Sequence, residues 1–199
     1  MATPHFINWI EGQAHGLRKI SGVSTFGRLN PFDLAKKMSV EVTDPLKIKQ
    51  LAREILDQLF GDSKSWSAGT LPLPDGKAIV VINSTHTETR QRASLMEELV
   101  HIKLKHKPTK LIHADGMTVR NWDQTQETQA YWVGAAALLP RCVMKGAKTL
   151  GWTIEKVATD HGVSIQLVEF REKILGIKLK RAVSVFAENN LSAVKALTE

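Results

Sequence analysis

The segment Arg92-Ala93-Ser94-Leu95-Met96-Glu97-Glu98-Leu99-Val100-His101 closes on Glu-Glu-x-x-His. It is one residue removed from the His-Glu-x-x-His pattern, in which two zinc ligands stand four apart on a helix with a general base between them. Here Glu97 holds the first ligand position, Glu98 the base position and His101 the second ligand position. A carboxylate binds zinc at nearly the same distance as an imidazole, so Glu97 is chemically admissible. It adds negative charge, which weakens the metal as a Lewis acid and makes bound water less acidic. A catalytic zinc takes three protein ligands and keeps one position open. The third ligand must therefore come from elsewhere, and Glu127 in Gln126-Glu127-Thr128-Gln129-Ala130 is the best candidate. Two adjacent helices, one giving Glu97 and His101 and the other Glu127, are expected to converge on one ion.

Around the motif, Leu95, Leu99 and Ile102 form a helical spine, with Thr85 or Thr87 as cap and Pro108 ending the helix after about Lys105. His106 is expected at the C-terminal end, meeting the helix dipole. Upstream, Gly69-Thr70-Leu71-Pro72-Leu73 and Lys77 to Asn83 flank Pro74-Asp75-Gly76 and predict a β-hairpin whose second strand is covered on both faces. Further upstream the spacing predicts a helix from Phe6 to Ile20 stopped at Gly22 and a short one at Pro31–Met38. A brief strand at Val40–Val42 and a helix capped by Asp44 over Pro45–Phe60 follow. Downstream, Thr109 to Asn121 reads as an irregular connection. Helices are expected at Gln124–Leu139 and Arg141–Leu150, then at Thr153–Ala158 and Ser164–Arg171 with a hinge at His161-Gly162-Val163. The small residues of the Gln124 helix allow another helix to approach closely.

Composition sets the outer limits. A chain of 199 residues can bury a real core, and 43% hydrophobic with 24% charged residues is the balance of a soluble globular protein. The net charge of +7 suits an acidic partner, but a lysine-rich solvated surface accounts for it equally well. The single cysteine, Cys142, excludes an internal disulfide and fits a reducing compartment. No secretory signal or membrane-spanning run is visible, so the expected location is cytoplasmic.

A wider pattern joins these pieces. Val81-Ile82-Asn83-Ser84-Thr85-His86, Arg90-Gln91-Arg92 and Leu95 to His101, closing with His106, resemble the ImmA/IrrE family of metallo-endopeptidase-like proteins. So do Gln126 to Trp132 with Ala137-Leu138-Leu139-Pro140, while Ile154 to Ala158 and Gly162-Val163-Ser164 resemble its helix-turn-helix-like region. The resemblance implies an α+β, zincin-like fold, mostly helical with a small sheet, over residues 1–140, and a helical C-terminal region over 141–199. It implies one zinc ion held by His101 and Glu127, with Glu97 in place of the usual histidine, and Glu98 as general base. Tyr131 stands where an acidic or amide residue is more usual. Family members are mostly bacterial or phage proteins, and several are thought to cleave a helix-turn-helix repressor, inducing genes of a mobile element or stress response. A second class remains open: a metal-poor pseudo-peptidase that regulates by binding a repressor or DNA. The C-terminal helices carry no clustered Arg/Lys/Asn set for reading bases, so nucleic acid is the less favoured partner.

Overall fold

The computed structural model describes residues 3–48, 57, 66–73, 77–107, 111–114, 117–120 and 123–182. The motif helix, α3 (Glu88–Leu104), starts where the Thr87 hydroxyl accepts from the Arg90 amide and ends at Lys105, which takes the left-handed conformation with φ 54°. Of the two threonines, Thr87 is thus the cap, while the Thr85 hydroxyl donates to Asn83 Oδ1. Leu95, Met96, Leu99 and Val100 are fully buried. At about 25 cal/mol per Å² of apolar area, each side chain of this size contributes roughly 1.5–3 kcal/mol to holding the helix against its neighbours.

Those neighbours lie on both sides of α3. On one side is a three-stranded sheet, order β1-β3-β2, in which β3 (Ala78–Ile82) is central. Strand β2 (Ala68–Pro72) pairs with it antiparallel, and β1 (Glu41–Thr43) pairs with it parallel. The β2–β3 hairpin lies where the Pro74-Asp75-Gly76 turn signal puts it. Val80 and Ile82 are buried while Ala78, Ile79 and Val81 are half-covered, so β3 alternates and has one face in the core rather than two. On the other side of α3 runs α4 (Gln124–Leu138), capped by Asp123 Oδ1, which accepts from the Thr125 and Gln126 amides. It packs against α3 and α1 (Pro4–Ser21), and its small residues Ala130, Gly134 and Ala137 are buried. A Cβ placed on Gly134 would lie 3.5 Å from Met96 Cγ and 3.6 Å from the Glu97 amide, which is ordinary contact. The helices therefore approach to alanine spacing.

The rest of the chain braces this layer. Helix α1 stops at Gly22 (φ 68°), and α2 (Pro31–Lys37) starts behind the Asn30 cap. After Pro140 come α5 (Arg141–Thr149), α6 (Ile154–His161) and α7 (Ile165–Leu175). The last two form a helix-turn-helix whose corner is Gly162 at φ 61°. Three buried arginines tie the layers through main-chain carbonyls. Arg18 donates to Ala137, Ser24 and Gly27. Arg92 donates to Leu29 and Gly162. Arg171 donates to Leu139 and pairs with Glu11.

Two expectations about the chain path change. The Asp44 side chain does accept from the Leu46 amide, but it caps a 3-10 turn at Pro45–Lys47, and Ile48 is already extended. Of the remainder of the helix expected there, to Phe60, only Asp57 is among the described residues, and it is helical. The connection from Thr109 to Asn121 is not irregular: β4 (Leu111–Ala114) and β5 (Met117–Arg120) pair antiparallel with Ala114 opposite Met117. The two residues between them are Asp115-Gly116, a strong two-residue hairpin signal.

Candidate functional site

Helices α3 and α4 lie side by side, and their facing turns bring two of the sequence candidates together. His101 Nε2 lies 3.5 Å from Glu127 Oε2, with both side chains about one quarter exposed or less. Burial, and then the neighbouring His106, lower the His101 pKa to about 4, so the ring is neutral near pH 7. This contact is therefore not an ion pair. Burial raises the Glu127 carboxyl, and Asp123 adds to the rise.

Glu97 and Glu98 complete an acidic cluster on α3. Burial, then the charges of Glu98 and Glu127, push the Glu97 carboxyl up to about 7. Glu98 is raised by burial against the opposing hydrogen bond from Thr70, whose hydroxyl donates to Glu98 Oε2 at 2.5 Å. Tyr131, one turn after Glu127, is raised by burial and by Glu97, and its ring lies against Phe170 at 4.7 Å between centroids.

The rise at Glu97 makes the metal-free chain pH-sensitive in a defined direction. Between its ordinary 4.5 and about 7, the folded state binds more protons than the unfolded state, so stability falls as pH rises and the loss is complete above the folded value. The size is on the order of 3 kcal/mol. His101 works the other way, since its depressed pKa removes stability as pH falls below about 6.5 towards 4. With a chelator present, a Glu97→Gln variant is expected to gain thermal stability over the unmodified chain at pH 8 and little at pH 5. Parallel melting curves at both values would show that Glu97 ionises without cost.

Two features of this cluster escaped the sequence reading. Thr70 on β2 holds the base candidate, and nothing in its surroundings marks it. His106 does not simply sit at the helix end: its Nδ1 is 3.0 Å from His101 Nδ1 and its Nε2 is 3.1 Å from Gln129 Oε1. The side chains of His113 and Trp122 lie outside the described residues. His86 is engaged with Asn83 at 3.4 Å, and Cys142 Sγ lies 3.6 Å from the Thr25 carbonyl oxygen.

The donor set can be tested against a metal. Two donors each about 2.0–2.1 Å from a tetrahedral ion stand roughly 3.4 Å apart. The His101–Glu127 separation matches that spacing, and neutral imidazole with carboxylate is a nitrogen and oxygen set that suits zinc. Among the described residues, however, no three His, Cys, Asp or Glu side chains close into a metal-binding group. Glu97 feels the charges of Glu98 and Glu127 but is not gathered with the pair.

The family model for the IrrE N-terminal-like domain, peptidase M78, matches residues 49–173, more than half the chain and spanning both helices of the cluster. The chain belongs to this family. Membership in a metallopeptidase family implies a metal cofactor and a protein substrate. No curated protein matches the chain. Among the described residues, no helix is long and apolar enough to cross a membrane.

Proposed function

We propose that this IrrE-like chain is a zinc-dependent endopeptidase, acting in the cytoplasm, in which Glu97, His101 and Glu127 hold one zinc ion and Glu98 is the general base. The observation that carries the reading is the His101–Glu127 pair at 3.5 Å on facing helices, with Glu98 held beside it by Thr70. Support for Glu97 as third donor comes from its place one helical turn before His101 and from its three rotatable side-chain bonds. Zinc in such a site supplies Lewis acidity to a peptide carbonyl and to the attacking water.

The chain's own groups do the remaining work. Thr70 occupies Glu98 Oε2, which leaves Oε1 to take a proton from water. The raised affinity of Glu98 for protons favours both that uptake and the later delivery to the leaving nitrogen. Among the described residues β2 pairs only with β3, and an extended peptide added along its other edge would run past Glu98, which Thr70 of β2 holds. On the family resemblance, the substrate is a helix-turn-helix repressor whose cleavage induces genes of a mobile element or stress response.

A rival reading, a metal-poor regulator that binds a repressor without cutting it, draws on the unclosed donor group and on Glu97 standing in a histidine position. Metal analysis separates them. Protein purified from zinc-containing medium is expected to hold about one equivalent of zinc, lost in His101→Ala and in Glu127→Ala. Protein that holds none and takes up none on titration would overturn the peptidase reading in favour of the regulator.

A further inference from the structure

A chain of contacts runs from α4 through the end of α3 to the metal candidate, and its geometry dictates where protons sit. Lys105 takes a left-handed conformation, φ 54°, and turns the chain back so that the His106 amide donates to the His101 carbonyl at 3.0 Å. The next amide, Lys107, donates to Gln126 Oε1 at 2.6 Å, fastening the turn to α4. The His106 ring is thereby held between Gln129 and His101, edge-on to the latter with centroids 4.9 Å apart.

Each nitrogen in this chain then has one role. Gln129 Oε1 accepts only, so His106 Nε2 carries the proton and donates at 3.1 Å. A neutral ring with hydrogen on Nε2 presents a lone pair at Nδ1, so the hydrogen in the 3.0 Å contact belongs to His101 Nδ1. His101 Nε2 is left with its lone pair directed at Glu127 Oε2. The 3.5 Å separation agrees, because an N–H donating to a carboxylate closes to about 2.7–2.9 Å, whereas two facing lone pairs stand further apart.

We infer that His106 and Gln129 are positioning residues: they fix His101 in the Nδ1–H form and so aim its Nε2 lone pair at the space shared with Glu127. This inference rests on the proposed metal site, yet it can be read without metal. Ring-nitrogen NMR of the chelator-treated protein at pH 8 is expected to show hydrogen on His101 Nδ1. In His106→Phe and in Gln129→Leu, hydrogen is expected on Nε2, where it can donate to Glu127. Zinc affinity, measured with zinc alone against a chromophoric chelator, is expected to fall about 10- to 100-fold in both variants. Gln129→Glu, an acceptor without donors, is expected to retain the native form and to bind zinc no more weakly than the unmodified chain. Gln129→Leu leaves His106 in place, so it decides the matter should His106→Phe fail to fold.

Two results separate this inference from the metal reading. Native Nδ1–H in a chain that takes up no zinc supports the relay and overturns the metal site. Zinc uptake with hydrogen on Nε2 in the metal-free chain, unchanged in affinity on replacing Gln129 by leucine, overturns the relay and leaves the metal site standing.

Discussion

Replacing Glu98 by glutamine is expected to leave the fold and the zinc content unchanged while lowering peptide hydrolysis by about 10²–10⁴-fold, the usual worth of a positioned general base. Glutamine has the same shape, and its Oε1 can accept from the Thr70 hydroxyl as Glu98 Oε2 does, so the contact between α3 and β2 survives. What disappears is the capacity to take a proton. The rate can be followed as new amino termini appearing in a mixed peptide library, read by mass spectrometry. The variant also relieves a buried charge, so its melting temperature should not fall. A variant as active as the unmodified chain would remove Glu98 from the chemistry, whatever else the cluster does.

The largest loss of stability is expected at Arg171, which is not one of the proposed metal ligands. Its side chain is 1% exposed, donates to the Leu139 carbonyl oxygen at 2.9 Å and pairs with Glu11. Burial lowers its pKa, and Glu11 opposes that shift, which marks the pair as mutually dependent. Arg171→Ala leaves the Glu11 carboxylate without its guanidinium and the Leu139 carbonyl without its donor, at a cost of about 3–5 kcal/mol. For a chain of this size that is a drop in melting temperature of roughly 6–20 °C. Arg171→Lys should recover little, because one ammonium cannot replace a fork that serves two acceptors. Arg171→Met combined with Glu11→Gln should recover a good part, since no lone charge remains. A loss under about 1 kcal/mol in the alanine variant would show that Glu11 finds water instead.

The parts of the molecule that were legible are those written in local spacing. Leu95, Leu99 and Ile102 repeat at helical intervals, Thr87 caps, and the hairpin strands flank a Pro-Asp-Gly turn, so α3 and the β2–β3 pair could be drawn from the letters alone. The need for a third ligand already pointed to Glu127, on another helix, as a partner for His101, and the resemblance implied the same residue. The β4–β5 hairpin was legible in principle from Asp115-Gly116 but was overlooked. The parallel pairing of β1 with β3 was not legible, because three residues meet a strand far along the chain with no turn between them. Asp44-Pro45 carries the marks of a helix start, yet only a single 3-10 turn follows before Ile48 extends. Nor could the role of His106 be read: it depends on a left-handed lysine, and only glycine or asparagine would have advertised that bend.

Helix α3 is moored to its neighbours by side-chain hydrogen bonds. Near its start the Arg92 guanidinium grips the carbonyl oxygens of Leu29 and Gly162, and further along Glu98 is tethered to the sheet by Thr70. The scaffold that presents the acidic and imidazole groups is therefore assembled by folding itself, with the conformational entropy already spent before any ion arrives. Small zinc-nucleated domains behave oppositely and unravel when stripped. Here a chelator is expected to leave the polypeptide folded, so that loss of any bound ion and loss of structure are separate events.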